Sequence, residues 1–472
     1  MWTVKTKYDE MKVAIVEPGG MERYWALPIW GNYPLAWNDA GIYAQFNRTS
    51  LERQRRDMRC RQFKAVKDEL PNVKLLYYRD LLQETLDEYR EDKARLKKIT
   101  ATCFAWDWPR IEKWLGNRWM DLDADAILGR DCPILKDGSG YKIGIRPLPW
   151  LNNISEEGWM TSEGLIYNNK RDWWRSREDE VTRAIFENHP LLTKNVKVIL
   201  DLSETEGCYV EGGDMTAPSE DSLVIGIGWH SNREACKEIS KALPDKTIYA
   251  PIKIPDSFKH EPETFMWHMT WHLDGMFAVL DEGKALCAPY IFDHPKGGRK
   301  FLIKLLSTMR KDLLEWHPIL RSYKEAGKKP PEELKRRAIG ELTDKRIATI
   351  ADMGGVEIYK KGKRVAAKDS FIDALIEDGV LDSDGVVYSG GDPDYYPSEA
   401  EFVFSAFTWE TAGTSCCVEC LKPGVVLTYD SFPNTIKAMK EHGVRSVTYH
   451  AHYQERFGGP CQDCSFFPLW RE

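Results

Sequence analysis

The sequence predicts an α/β fold, because strand-like and helix-like segments alternate along a chain of ordinary globular composition. Of its 472 residues, 42% are hydrophobic and 29% are charged, which excludes the disordered and fibrous classes. Short runs rich in β-branched residues recur from residue 12 to residue 449, and charged amphipathic windows such as residues 175–187 and 232–242 lie between several of them. This alternation is typical of α/β proteins. No clean boundary between independent domains is visible.

Two longer stretches separate the predicted strands and are expected to be insertions. Residues 80–137 are helix-rich with alternating charge, and residues 297–368 contain the tracts GKKPPEELKRR and YKKGKRVAAK. Charged runs of this kind usually form a solvated surface. The predicted strands cover residues 12–17, 73–78, 196–202, 222–228, 247–254, 424–429 and 444–449.

The charge and hydropathy patterns exclude two classes of partner. The 66 Lys and Arg residues and the 73 Asp and Glu residues give a net charge of −7, and no basic stripe is interleaved with aromatic residues, so no nucleic-acid partner is expected. No apolar run approaches the roughly 18 residues that cross a bilayer. The N-terminus lacks the apolar core of a secretory signal. We therefore expect a cytoplasmic protein with no membrane partner.

Four of the 11 cysteines are arranged in two pairs, and the other seven are scattered. An odd, scattered set in a cytoplasmic protein predicts thiols rather than a disulfide framework. Cys417 and Cys420 form one Cys-x-x-Cys pair, and Cys461 and Cys464 form another 40 residues later. Two such pairs can close a tetrahedral zinc site, although zinc ribbons usually span less chain. Alternatively, the Gly-Gly turn at residues 458–459 delivers an exposed thiol nucleophile.

Two further motifs carry ionisable side chains. In Glu211-Gly-Gly-Asp214 the glycines let the backbone approach a small ligand between two carboxylates, although a Gly-Gly turn with acids is often only a turn. His272 and Asp274 share a face if their segment is extended. His268 and His272 have the spacing of helical metal ligands, but no third ligand accompanies them. We therefore expect no metal or other cofactor.

In their order along the chain, these motifs resemble the arginine deiminases of the guanidine-modifying superfamily. The similarity rests on EGGD at residues 211–214, His-Leu-Asp at 272–274 and the ending CSFFPLWR at 464–471. It extends to the opening strand MKVAIVEPG at residues 11–19 and to the helix WRSREDEVTRAIFENHP at 174–190. The resemblance implies a five-bladed α/β propeller of the pentein type with helical insertions. It also implies one catalytic domain over residues 1–472.

The resemblance also implies a role for each site residue. Cys464 would attack the guanidinium carbon, His272 would act as acid and then as base, Glu211 would orient His272, and Asp274 would hold the guanidinium. Cys461 is the alternative nucleophile, because the spacing from the Gly-Gly turn fits neither cysteine. The implied substrate-binding residues are Glu156, Glu157, Asp214, Arg175, Arg233 and Asn152. Of these, either Glu156 or Glu157 would replace the family's guanidine-binding Asp.

The implied activity is cysteine-dependent hydrolysis of the guanidino group of arginine or a related guanidino acid. The reaction would pass through an S-alkylthiouronium intermediate and release ammonia. One alternative is an amidinotransferase, in which an amine acceptor replaces water. A second alternative is a non-catalytic, zinc-stabilised binding protein on the same fold. The small-molecule substrate is the expected partner, and a homo-oligomer is left open.

Overall fold

The computed structural model describes most of the chain with gaps. The described residues are 1–19, 48–129, 134–136, 142–144, 148, 151, 153–171, 175–254, 272–289, 291–292, 300, 303–304, 307–308, 310–311, 317–339, 347, 353–402, 405, 410, 415–451 and 462–472. Three residues that the sequence singles out, Asn152, His268 and Cys461, lie outside them. Among the described residues no helix is long and apolar enough to span a membrane.

The strands are short and mostly buried, as the apolar runs predict. In chain order they are β1 (Met11–Val16), β2 (Lys74–Tyr77), β3 (Ile134–Lys136), β4 (Lys142–Gly144), β5 (Gly158–Met160), β6 (Leu165–Tyr167), β7 (Val198–Asp201), β8 (Met215–Ser219), β9 (Ser222–Ile225), β10 (Thr247–Pro251), β11 (Phe277–Asp281), β12 (Gly283–Cys287), β13 (Val356–Lys360), β14 (Lys363–Lys368), β15 (Leu381–Tyr388), β16 (Glu419–Lys422), β17 (Val425–Tyr429), β18 (Arg445–Tyr449) and β19 (Phe466–Arg471). β17, with sequence VVLTY, is buried at every position, as expected of a central strand.

The helices lie mainly between parallel strands and in the predicted insertions. They are α1 (Arg48–Glu69), α2 (Tyr78–Glu88), α3 (Lys93–Phe104), α4 (Trp108–Leu115), α5 (Ala124–Leu128), α6 (Ser176–Phe186), α7 (Pro190–Asn195), α8 (Arg233–Ala242), α9 (Pro318–Glu325), α10 (Glu332–Ile339), α11 (Phe371–Glu377), α12 (Glu399–Phe402) and α13 (Pro433–Glu441). Local sequence sets several starts. The side chain of Asn232 accepts a hydrogen bond from Ala235 N at the start of α8, and proline occupies the first turn of α7 and α13, where its missing N–H costs nothing.

Five sheets within the described residues contain the same three-strand unit. In each unit the middle strand pairs antiparallel with one neighbour and parallel with the other. In four units the antiparallel pair is a hairpin of consecutive strands, and the fifth unit joins the two ends of the chain. The units are β19-β1-β2, β5-β6-β7, β8-β9-β10, β11-β12-β15 and β16-β17-β18. Parallel partners need a crossover, which helices supply here. The α/β class is confirmed, whereas the arrangement of the units as a propeller stays a prediction.

The predicted insertions differ in structure. Residues 78–128 form α2 to α5 with short 3₁₀ turns, and their apolar side chains share one core with β1 and β19. In the second stretch, α9 and α10 are followed by the β13-β14 hairpin, which pairs with β10 and widens that sheet. The C-terminal part of residues 297–368 therefore belongs to a sheet rather than to a separate lobe. The insertion boundaries stay predictions.

Four 3₁₀ turns lie just before the first strands of four units and hold, or directly follow, seven predicted site residues: Glu156, Glu157, Glu211, Asp214, His272, Asp274 and Cys464. The turns are Ile154–Glu157 before β5, Gly212–Asp214 before β8, Leu273–Gly275 before β11 and Asp463–Ser465 before β19. The first turn contacts the second and the fourth, and the second contacts the third. Motifs far apart in sequence therefore meet, because each occupies the same position in its own unit.

Candidate active site

The turns that carry EGGD and His-Leu-Asp are joined by backbone and side-chain hydrogen bonds. Leu273 N donates to Asp214 Oδ1 at 2.8 Å, and Ser231 Oγ donates to Asp214 Oδ2 at 2.5 Å. Lys253 Nζ forms a buried ion pair with the same carboxylate. Asp214, predicted to bind substrate, is therefore placed where it ties three segments of the site together.

The two glycines of EGGD are required by close packing. A Cβ on Gly212 would lie 1.8 Å from Ser155 O, and a Cβ on Gly213 would lie 2.7 Å from His272 Nδ1. Neither distance is sterically possible without moving the neighbouring turn. The absence of both side chains lets the EGGD turn approach the acid-bearing turn on one side and the histidine on the other.

His272 lies between two carboxylates. Its Nδ1 is 3.5 Å from Glu156 Oε1, and its Nε2 is 3.2 Å from Glu211 Oε2. Burial alone would lower the pKa of His272, but Glu156, Glu211 and Asp214 outweigh burial and raise that pKa to about 9. The imidazole is therefore protonated at neutral pH and can donate a proton.

Cys464 is buried and its Sγ donates to Asp274 Oδ2 at 3.1 Å. Burial raises the pKa of the Cys464 thiol well above its ordinary value, and the carboxylates of Asp274, Glu156 and Asp463 raise it further. Burial also raises the pKa of Asp274, to about 7. Without a bound cation, Cys464 is therefore a thiol rather than a thiolate.

Only one of the two candidate acids, Glu156, faces His272. Glu157 Oε2 instead accepts from Lys170 Nζ at 2.9 Å and from Thr182 Oγ1 at 3.1 Å. Both glutamates are buried, but consecutive residues of the turn point into different surroundings. Glu156 is thus placed in the cluster, and Glu157 in a separate ion-pair network.

The two arginines predicted to bind the substrate already have carboxylate partners. Arg175 is 1% exposed, and its guanidinium pairs with Glu211 Oε2 at 2.5 Å, with Glu178 Oε2 and with Glu156. Arg233, at the start of α8, donates from Nε to both oxygens of Glu357 on β13, at 2.9 and 3.1 Å. Arg175 therefore neutralises the protein's own acids, and Arg233 connects α8 to the β13-β14 hairpin.

Sequence reasoning missed one residue of the cluster, His230, and considered another, Cys417, as a zinc ligand. The ring of His230 is fully buried, 4.8 Å from the ring of His272 with the planes at 69°. Cys417 Sγ is 3.5 Å from Asp274 Oδ2, and Cys417 and Cys464 pack together. No motif points to His230, whereas the Cys-x-x-Cys pair singles out Cys417.

The cysteine predictions need one correction. Eight described cysteines are free, as predicted, but Cys417 is disulfide-bonded. Cysteine spacing cannot reveal this, because the fold decides which sulfur atoms approach each other. Cys420 Sγ donates to Leu280 O at 3.4 Å, whereas Cys417 lies near Asp274, so the two sulfur atoms of this pair have different neighbours.

Two groups of side chains among the described residues could hold a metal ion. They are Glu211, His230 and His272, and Asp274, Cys417 and Cys464. Within each group the potential ligand atoms lie within 4.8 Å of one another, and every residue is buried. Both groups overlap the residues described above, and the disulfide of Cys417 removes that sulfur as a thiolate ligand of the second group.

The chain is similar to known arginine deiminases over part of its length. The family model described as arginine deiminase matches residues 134–318. The arginine deiminase of Staphylococcus haemolyticus is 24% identical over 341 residues, which cover 70% of this chain and 64% of that protein. The predicted resemblance to the arginine deiminases is thus confirmed as a similarity over part of the chain. The arginine deiminase of Limosilactobacillus fermentum is 24% identical over 178 residues, covering 38% of this chain and 41% of that protein.

The matched regions cover less than two thirds of these arginine deiminases. Among solved structures, an amidinotransferase of the saxitoxin biosynthetic pathway from Microseira wollei aligns with a TM-score of 0.45 and 10% identity, covering 100% of this chain and 97% of that one. A cyanobacterial arginine dihydrolase aligns with a TM-score of 0.39 and 12% identity, covering 69% and 33%.

Proposed function

We propose that the protein is a cysteine-dependent hydrolase of the guanidino group, acting on arginine or a related guanidino acid. The observation that carries this proposal is the juxtaposition of Cys464 with Asp274, next to a histidine held between Glu156 and Glu211. A guanidinium carbon is a poor electrophile, so attack on it needs a positioned thiolate and an acid for the leaving nitrogen.

Substrate binding would itself activate the thiol. Asp274 and Glu156 are both among the carboxylates that raise the pKa of Cys464. A bound guanidinium would neutralise these charges through paired hydrogen bonds, and its positive charge would lower the pKa of the thiol. The thiolate would therefore form when the cationic substrate arrives, and the resting thiol would be protected from other electrophiles.

The chemical steps follow from these positions. Cys464 Sγ attacks the guanidinium carbon, and the C–N bond to one nitrogen breaks as His272 donates its proton to the leaving ammonia. The S-alkylthiouronium remains, and neutral His272 takes a proton from the attacking water. The C–S bond then breaks, and the departing thiolate takes up the remaining proton of the former water, which gives a ureido product and the free cysteine thiol. Glu211 keeps His272 oriented through both steps.

Products distinguish this proposal from its alternatives. With arginine or guanidinobutyrate as the substrate, we expect ammonia and the corresponding ureido compound in equal amounts, measured by coupled assay and mass spectrometry. A new guanidino compound formed only when an amine acceptor is supplied would identify an amidinotransferase instead. Stoichiometric zinc without turnover on any guanidine would support the binding-protein alternative and overturn the proposal.

The pH dependence of kcat/KM is expected to be bell-shaped, with limbs near pH 7 and pH 9. Asp274, with a pKa of about 7, must be ionised to bind the guanidinium, so activity falls as pH decreases through 7. His272, with a pKa of about 9, must be protonated to serve the leaving ammonia, so activity also falls as pH rises through 9. Because the groups of the cluster interact, the two apparent pKa values of the profile describe the cluster as a whole rather than single residues. Initial rates at low substrate from pH 5.5 to 10 test this, and a flat profile contradicts it.

A further inference from the structure

His230 is placed beside the acid–base pair although the predicted mechanism gives it no role. One nitrogen of His230, one of His272 and one carboxylate oxygen of Glu211 lie within 4.8 Å of one another. Its turn is fixed, because Ser231 donates to Asp214 and Asn232 N donates to Tyr209 O at 3.1 Å. The imidazole is thus held in the cluster by its neighbours on both sides.

Glu211 offers this cluster an acceptor that the described residues leave unused. Arg175 and His272 both hydrogen-bond to Oε2 of Glu211. Its other oxygen, Oε1, is buried and accepts no hydrogen bond from any described group. A buried carboxylate oxygen without a donor is costly, so a ligand with an O–H or N–H group is favoured there.

Water suits this position better than a metal ion. Three polar atoms within 4.8 Å of one another can each lie about 2.8 Å from a shared water. A dication would instead be placed beside Arg175, which is 2.5 Å from Glu211, and near Lys253, whose charge acts on His230. Burial lowers the pKa of His230 well below its ordinary value. The positive charges of His272, Lys253 and Arg175 lower this pKa further, whereas the negative charge of Glu211 acts in the opposite direction. The neutral ring provides one donor and one acceptor.

We propose that His230 is a catalytic residue of the second half-reaction, in which it and the Glu211 carboxylate hold the water that hydrolyses the thiouronium. The inference rests on the proposed hydrolase function and extends it to a residue with no assigned role. The held water gives one proton to His272 and forms the new C–O bond, after which the C–S bond to Cys464 breaks. The first half-reaction, which releases ammonia, does not use this water. His230 therefore decides how fast the intermediate is consumed by water.

The His230→Phe variant separates the two half-reactions. Phenylalanine keeps a ring beside His272 but cannot hydrogen-bond to water. In rapid-quench experiments with a guanidine that the wild type hydrolyses, we expect a burst of about one ammonia per site. Steady-state turnover should then be about 100-fold slower than in the wild type. The intermediate should accumulate on the Cys464 peptide, where mass spectrometry detects it.

His189→Asn is the matched control, because His189 is also buried but lies on another part of the fold, where its ring pairs with Glu84 at 2.9 Å. This variant should show neither slowed turnover nor adduct. The inference would be overturned if His230→Phe turned over within twofold of the wild type. It would also be overturned if the burst of ammonia decreased by the same factor as steady-state turnover. A wild type that releases no ammonia from any guanidine would overturn the proposed function itself.

Discussion

Replacing Cys464 by alanine is expected to reduce ammonia release at least about 10⁴-fold while substrate binding is retained. The variant removes the sulfur that attacks the guanidinium carbon, but it leaves Asp274 and Glu156, the carboxylates proposed to hold the substrate. Calorimetric titration with a guanidino substrate should therefore still show binding. Because the carboxylates that hold the guanidinium are unchanged, the affinity for the substrate should stay within about tenfold of that of the wild type.

Cys420→Ala is the matched control for this substitution. Cys420 is also fully buried and lies in a neighbouring sheet, but its sulfur contacts backbone carbonyls such as Leu280 O. We expect full activity from this variant. Cys464→Ala with wild-type turnover would contradict the assignment. Loss of turnover in Cys461→Ala alone would transfer the nucleophile to that residue and keep the mechanism.

The order of the motifs predicted much of the site, because each motif occupies the same place in a repeated unit. EGGD, His-Leu-Asp and the Cys464 ending are each a turn adjoining the first strand of a three-stranded unit. Short-range sequence patterns report such turns well. The unit β19-β1-β2 could not be predicted in this way, because it pairs strands from the two ends of the chain.

What the sequence left open depends on contacts between turns. Glu156 and Glu157 are equivalent as a motif, and they are separated by their partners, which are His272 for Glu156 and Lys170 for Glu157. His230 belongs to a turn whose motif gives no reason for an imidazole, and its meaning depends on the nearby His272 ring. Distances between side chains of different units follow from packing, so local patterns do not contain them.

Arg175→Met is expected to lower the free energy of unfolding by about 3–5 kcal/mol at pH 7.5, because it leaves buried carboxylates without their cation. Arg175 pairs with Glu156, Glu178 and Glu211, all of which are buried. Methionine has a similar length but no charge. Urea unfolding of the wild type and the variant, followed by tryptophan fluorescence, measures the difference.

The pH dependence of this loss tests its electrostatic origin. Without Arg175, burial raises the pKa values of the freed carboxyl groups in the folded state above their unfolded values. At a pH above its pKa in the folded state, such a group destabilises the folded protein by the full amount. The penalty disappears as the pH falls below its pKa in the unfolded state, which is about 4.3 for Glu. The gap between wild type and Arg175→Met should therefore narrow as pH falls from 7.5 towards 5.

Arg183→Met on the same helix, α6, is the control. Arg183 pairs with Asp201 at 2.7 Å, and both side chains are about one-fifth exposed, so its removal should cost no more than about 1 kcal/mol. If Arg175 acted only on a substrate carboxylate, its replacement would raise KM for arginine and leave the unfolding free energy unchanged. That result would contradict the role inferred from its three ion pairs. A large loss of stability that narrows at low pH would instead show that this guanidinium neutralises the carboxylates on which the acid–base pair is built.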